Sequence, residues 1–191
     1  MKKRTKKVIF FGLAESGKST ILRMVEGQKI TKSTEFLPTI DYNQLNFLVN
    51  NEIAVTIIDL GGATAFLDRF IGELAEFMFS GLSTFVLIVD SLDIQGLPRV
   101  KYYLDLAVKR IEQYCPQAHV FLFQHKVDLI PQKFCKEVDQ TVKEYLLKDI
   151  VRDIHYYKTT ILNNGIDDAM RAVFETTVGA PLTSYSRIRS S

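Results

Sequence analysis

The run Gly12-Leu13-Ala14-Glu15-Ser16-Gly17-Lys18-Ser19 constrains this chain more than any other segment, because it meets G-x-x-x-x-G-K-[ST] at every fixed position. At ordinary glycine and lysine frequencies, a chain of this length carries the pattern by chance roughly one time in a hundred. The apolar run Val8-Ile9-Phe10-Phe11 precedes it, and an amphipathic stretch with Ile21, Leu22 and Val25 follows. A loop between such a strand and such a helix offers unobstructed backbone N–H groups, and the helix N-terminus favours an anion. Gly12, Ala14, Glu15, Ser16 and Gly17 are therefore the candidate phosphate cradle. Lys18 reaches the β- and γ-phosphates, the Ser19 hydroxyl is placed for Mg²⁺, and Thr20 is placed for the α-phosphate.

A phosphate loop alone serves kinases, ATPases and GTPases, so other segments must narrow the reading. Asp59-Leu60-Gly61-Gly62 ends the apolar run Val55 to Ile58. Asp59 stands where a carboxylate would hold Mg²⁺ through water, and Gly62 where an N–H would meet the γ-phosphate; an ordinary strand-to-loop turn is the plainer alternative. His125-Lys126-Val127-Asp128 follows Val120 to Phe123. A carboxylate at Asp128 can accept both N1–H and the exocyclic amine of guanine, a donor pair adenine lacks, while Lys126 can lay its aliphatic stem along the nucleotide and the loop. Alone, this tetrapeptide reads as a surface charge pair; after the other two motifs it reads as a guanine site. Thr39, after Pro38, is either a loop threonine or a Mg²⁺ ligand that senses the γ-phosphate. Lys18, Thr39 and Gly62 are the candidate catalytic residues, and Ser19, Thr39 and Asp59 the candidate metal ligands.

The remaining pattern is that of a doubly covered parallel sheet. Val8 to Phe11, Thr84 to Val89 and Val120 to Phe123 are apolar on both faces, as central parallel strands are. Leu45, Phe47 and Val49, then Ile53, Val55 and Ile57 after Asn50-Asn51, alternate as an antiparallel hairpin. Helical stripes fall at Val100, Leu104, Ala107, Val108 and Ile111; at Phe134, Val138, Val142, Tyr145 and Leu146; and at Ile166, Met170, Val173 and Phe174. Pro98 and Pro131 mark helix starts, and 153–160 supplies a last strand. The expectation is an α/β P-loop domain over 1–180, with a six-stranded mixed sheet and helices on both faces, followed by a flexible tail, 181–191.

Twenty-four Lys plus Arg against 22 Asp plus Glu give a net charge of +2, which argues against nucleic acid as a partner of the whole surface. Five cations, Lys2, Lys3, Arg4, Lys6 and Lys7, crowd the start, either as a solvated lead-in or as a contact for an anionic surface. Two cysteines, Cys115 and Cys135, suggest neither a disulfide framework nor a zinc site, and a reducing, cytoplasmic setting fits them. No apolar run approaches the roughly 18 residues a membrane span needs, and the ends show no signal h-region, myristoylation glycine or CaaX cysteine. Membrane contact is expected to be indirect, through partners or electrostatics.

Taken together, these motifs resemble the Ras superfamily of small GTPases over roughly Lys6 to Val178. Asp59-Leu60-Gly61-Gly62 resembles the DxGG of Arf and Rag proteins, and His125-Lys126-Val127-Asp128-Leu129 the HKxDL form of the Rag/Gtr branch. Tyr114-Cys115-Pro116-Gln117-Ala118 and Thr159-Thr160-Ile161 are also similar to Rag proteins, whereas Glu15-Ser16-Gly17-Lys18-Ser19-Thr20 is similar to Gα subunits. The resemblance implies a switch that binds GTP or GDP with Mg²⁺, and a Thr160-Ile161 loop that brings a backbone N–H to guanine O6. It also implies partners: effector, GAP and exchange-factor proteins at the switch regions, and a roadblock domain or a second GTPase.

Three departures stand out. Ala63 occupies the place of the glutamine that orients the attacking water, so slow turnover is expected. His125 replaces the usual bracing asparagine, as in Rag relatives. Rag proteins also continue into a roadblock domain, so the chain reads as a lone G domain or as part of a longer protein. A hydrolysis-deficient scaffold is the rival reading, and a small-molecule kinase is disfavoured because it has no use for a guanine-reading Asp128. The phenylalanine-rich stretch Ala65 to Phe79 is expected to pack Phe66, Phe70 and Phe77 into the core, with partial exposure as a partner surface the alternative.

Overall fold

A computed structural model describes residues 5–28, 39–162 and 165–188. The lead-in cations Lys2, Lys3 and Arg4, together with Leu37, Pro38 and the last three residues, lie outside them. In chain order the elements are β1 (Thr5–Phe11), α1 (Lys18–Val25), β2 (Tyr42–Val49), β3 (Ile53–Leu60), α2 (Thr64–Ile71), α3 (Ala75–Phe79), β4 (Leu82–Asp90), α4 (Leu97–Tyr114), β5 (His119–His125), α5 (Cys135–Leu147), β6 (His155–Thr159), α6 (Gly165–Val178) and β7 (Tyr185–Arg187).

The sheet runs β6-β5-β4-β1-β3-β2-β7. β1 lies parallel to β3 and β4, and β5 lies parallel to β4 and β6. β2 is antiparallel to both of its neighbours. Alternation along the strands divides the apolar side chains between two cores. Ile9, Phe11, Leu87 and Leu122 face α2, α3, α4 and α5; Val8, Phe10, Val86 and Phe123 face α1 and α6. Asn50 and Asn51, both at positive φ, turn the hairpin, and the Glu52 N–H donates to Val49 O at 3.1 Å. Asparagine tolerates that conformation, and the turn keeps Phe47, Val49, Val55 and Ile57 on one buried face.

Four expectations need correction. The sheet has seven strands, because Tyr185–Arg187 pairs with β2; the segment expected to be a flexible tail therefore joins the sheet through Arg187. Phe70 is buried and Phe66 packs against the core, but Phe77 is 66% exposed. α3 has only five residues and buries Ala75, Met78 and Phe79, which turns Phe77 outward beneath the Lys7 ammonium. In α5 the buried face narrows to Val142 and Leu146, with Val138 partly buried, while Phe134 and Tyr145 stay exposed. Pro131 starts a 3₁₀ turn, Gln132–Phe134, ahead of α5 rather than the helix itself.

Parallel strands β1, β3, β4 and β5 all end at the same edge of the sheet. The loops that leave them, 12–17, 61–63, 91–96 and 126–134, therefore gather there, where ligands of open α/β sheets bind.

Candidate functional site

The loop after β1 wraps the first turn of α1. Gly12 at φ 154° and Gly17 at φ 97° take conformations that side chains disfavour. A Cβ on Gly12 would also lie 2.4 Å from Ile88 O. Glu15 takes the left-handed conformation at φ 63°, Ala14 is exposed, Ser16 is buried and Thr20 is half-buried. Lys18 folds back into the loop, where Nζ donates to Gly12 O and Leu13 O at 2.8 Å each and lies 3.4 Å from Ser16 Oγ. Burial lowers its pKa to about 8, against the pull of Asp59. A buried ammonium held by two carbonyls and a hydroxyl, with Asp59 offsetting only part of its burial, is poorly compensated, and an anion supplies what is missing.

Beside it, three oxygen-bearing side chains from distant segments converge. Ser19 Oγ donates to Asp59 Oδ2 at 2.6 Å and lies 3.0 Å from Thr39 Oγ1. Burial raises the Asp59 carboxyl, and its second oxygen, Oδ1, is buried without a hydrogen-bond partner among the described residues. Glycine permits this convergence. The Gly61 N–H donates to Asp41 O at 2.7 Å, and a Cβ on Gly61 would stand 2.8 Å from Thr39 O. Gly62 lies backbone against backbone on the loop, since a Cβ there would be 2.4 Å from Ala14 N. Ala63 caps α2 directly afterwards and is exposed.

The third part comes from β5 and the loop after β6. His125 is buried, its Nδ1 lies 2.9 Å from Thr159 Oγ1, and burial pushes its pKa down to about 4. Lys126, left-handed at φ 62°, sends Nζ to Glu15 O at 2.8 Å and to Asp90 Oδ2 at 2.7 Å. Thr160 Oγ1 donates to Asp128 Oδ1 at 2.6 Å and accepts the Leu162 N–H at 3.1 Å, while Ile161 packs against the core beside α6. All the candidate site residues of the sequence thus meet at one end of the sheet.

Sequence reasoning missed three supports. Asp90 holds Lys126, and Ser91 donates from both N and Oγ to His125 O, at 3.0 and 2.6 Å. Tyr103 of α4 donates to Asp68 of α2 at 2.7 Å. A carboxylate ending the apolar strand β4 was the only local signal for Asp90; Tyr103 sits within a helical stripe that reads as packing.

Comparison with known proteins points to one family. The family described as the Gtr1/RagA G protein conserved region matches residues 7–180. GTP-binding protein gtr1 of Schizosaccharomyces pombe is 25% identical over 190 residues, covering 96% of this chain and 60% of its own length. Ras-related GTP-binding protein A of Dictyostelium discoideum is 24% identical over 130 residues, 66% of this chain and 42% of its own length. ADP-ribosylation factor-like protein 3 of Caenorhabditis elegans is 24% identical over 165 residues, 86% of this chain and 83% of its own length. The chain thus spans about half the length of the Gtr and Rag relatives it matches. Among solved structures, the Arl6 BBS3 small GTPase of Trypanosoma brucei, with bound nucleotide analogue GppNp, has the same fold, with a TM-score of 0.67 and 23% identity over 92% of this chain and 98% of that one. A P-loop G-domain fold, the clustering of the motif residues and a family match across nearly the whole chain lead to one assignment: the chain belongs to the Gtr1/RagA family of Ras-superfamily small GTPases.

Proposed function

We propose that this chain binds GTP and GDP with Mg²⁺ and acts as a guanine-nucleotide-dependent switch with very slow hydrolysis of its own. The observation that carries the reading is the convergence of Ser19, Thr39 and Asp59 beside buried Lys18. Three hard oxygen ligands and an orphaned carboxylate oxygen fit a Mg²⁺ site, and the open backbone of the 12–17 loop fits a diphosphate. Mg²⁺ held by Ser19, Thr39 and Asp59 would neutralise phosphate charge.

The chain's own residues do the rest. Lys18 holds the β- and γ-phosphates as a point charge, and Thr20 the α-phosphate. Thr39 and the Gly62 N–H tether their segments to the γ-phosphate and let go once it is lost. Asp128 accepts the guanine N–H groups, the Ile161 N–H meets O6, and Lys126 covers the ring while tied to Glu15 and Asp90. Its partners are effector, GAP and exchange-factor proteins at these segments. Such proteins, rather than a spanning segment, bring it from the cytoplasm to membranes; among the described residues no helix is long and apolar enough to cross one.

Ala63 favours a second reading, a scaffold held in the GTP state, because a methyl group cannot orient water. A GTPase of this superfamily that has the glutamine turns over unaided at about 10⁻⁴ to 10⁻³ per second, and an arginine finger adds roughly 10³ to 10⁵. Protein loaded with GTP and Mg²⁺, freed of excess nucleotide and followed by chromatography for a day, separates the two. Slow appearance of bound GDP supports the switch, and its acceleration by a partner would complete it. GTP that persists with every candidate partner supports the scaffold.

A further inference from the structure

The C-terminal segment is fastened to the hairpin and to α1 at several points. The Asn50 side chain accepts the Thr183 N–H at 2.8 Å and donates to Pro181 O at 2.9 Å. Tyr185 packs its ring 5.0 Å from Phe174 and 6.2 Å from Phe47. Tyr185 pairs with Val49 and Arg187 with Phe47, and the Ile188 N–H donates to Asn46 O at 2.7 Å. The chain therefore runs along the edge of β2 toward Tyr42 and Thr39. At that end Arg187 forms an ion pair with Glu26, whose side chain is nearly buried at the close of α1. Arg187 also lines the cavity of about 470 Å³ that Ser19, Thr39 and Asp59 line.

We propose that residues 181–188 are a displaceable brace that joins the two walls of this cavity and slows nucleotide release. One wall is α1, whose first turn carries Lys18 and Ser19 and whose end carries Glu26; the other is β2, which continues from Thr39. Separating them requires breaking either the Arg187–Glu26 pair or the β7–β2 pairing. The edge of β2 is then a strand-docking surface filled by the chain's own segment, and a partner that pairs with this edge speeds exchange by displacing β7. The inference rests on the guanine-nucleotide site proposed above.

The test uses the full chain loaded with fluorescent GDP and chased with unlabelled GDP in Mg²⁺. Arg187→Ala removes the ion pair, and Asn50→Gly keeps the left-handed turn while dropping the side-chain clamp. Each variant is expected to release GDP about fivefold faster, the size of effect one ion pair or one or two hydrogen bonds support. Amide exchange at Leu48 and Asn50, whose N–H groups face the C-terminal segment, is expected to rise in parallel. Release within twofold of the parent in both variants would overturn the brace, and so would Leu48 and Asn50 amides that are already unprotected in the parent. A parent chain that retains no guanine nucleotide would overturn the underlying site reading, and the brace with it.

Discussion

Gly17 faces the ring of His125 so closely that a Cβ on the glycine would lie 2.4 Å from Cδ2 of the imidazole. The histidine thereby fixes the loop from behind, held by Thr159 on its own far side and by Ser91 through its carbonyl. Gly17→Ala therefore displaces either the loop or the ring. The expected outcome is a loss of GDP affinity of at least tenfold with the fold retained, read by equilibrium titration against circular dichroism.

The same histidine makes stability depend on pH. Its folded pKa, about 4, lies below the ordinary histidine value of 6.5, so the folded state binds fewer protons than the unfolded chain in between. Its contribution is complete above about pH 6.5 and is lost as pH falls toward 4. Between pH 7 and pH 5 the loss is about 2 kcal/mol. Urea unfolding of the parent and of His125→Asn at both pH values checks this, the asparagine variant showing the smaller change.

Asp128 is held by Thr160 Oγ1 at 2.6 Å, which aims the carboxylate at one side of the site. If it reads guanine, Asp128→Ala lowers GDP affinity by about tenfold to a hundredfold, the range for a charge-assisted hydrogen bond. The parent should also prefer GDP to inosine diphosphate, which lacks the exocyclic amine, and the variant should lose that preference. Competition binding with the two nucleotides measures both effects.

Ala63 is exposed at the start of α2, next to Gly62. Ala63→Gln places a water-orienting amide there without disturbing packing. Single-turnover GTP hydrolysis is expected to rise by roughly tenfold or more. An unchanged rate would assign the slowness to something other than the missing side chain.

Tyr103 fastens α2 to α4 through Asp68, and its ring lies 5.9 Å from that of Phe11 at the end of β1. Burial and the neighbouring carboxylate raise the phenol's pKa, so it stays a donor at neutral pH. Tyr103→Phe keeps the ring contact and loses the bond, at a cost of about 1 kcal/mol in urea unfolding.

Much of this was legible before any fold was known. The fixed spacing of the phosphate loop, the D-x-x-G and the HKxD segment follow strands whose apolar character is visible residue by residue, so their convergence at one end of the sheet followed from topology. β7 was not legible, because Tyr185, Ser186 and Arg187 are all exposed and show no alternation. Their strand conformation comes from the open edge of β2. For Phe77 the exposed alternative holds and core packing does not, because helical spacing assumes a helix long enough to keep one face inward and α3 has only five residues. The tie between Lys126 and Asp90 joins the loop after β5 to the end of β4, and single-sequence periodicity carries no information about such pairs.

The account stands on guanine-specific, Mg²⁺-dependent binding, so calorimetric titration of nucleotide-free protein with GDP and with ADP, each with Mg²⁺ and with chelator, tests it most directly. The account predicts tight GDP binding that weakens when Mg²⁺ is removed, and ADP binding weaker by at least about a hundredfold. Equal affinity for the two nucleotides, or no binding of either, would contradict it.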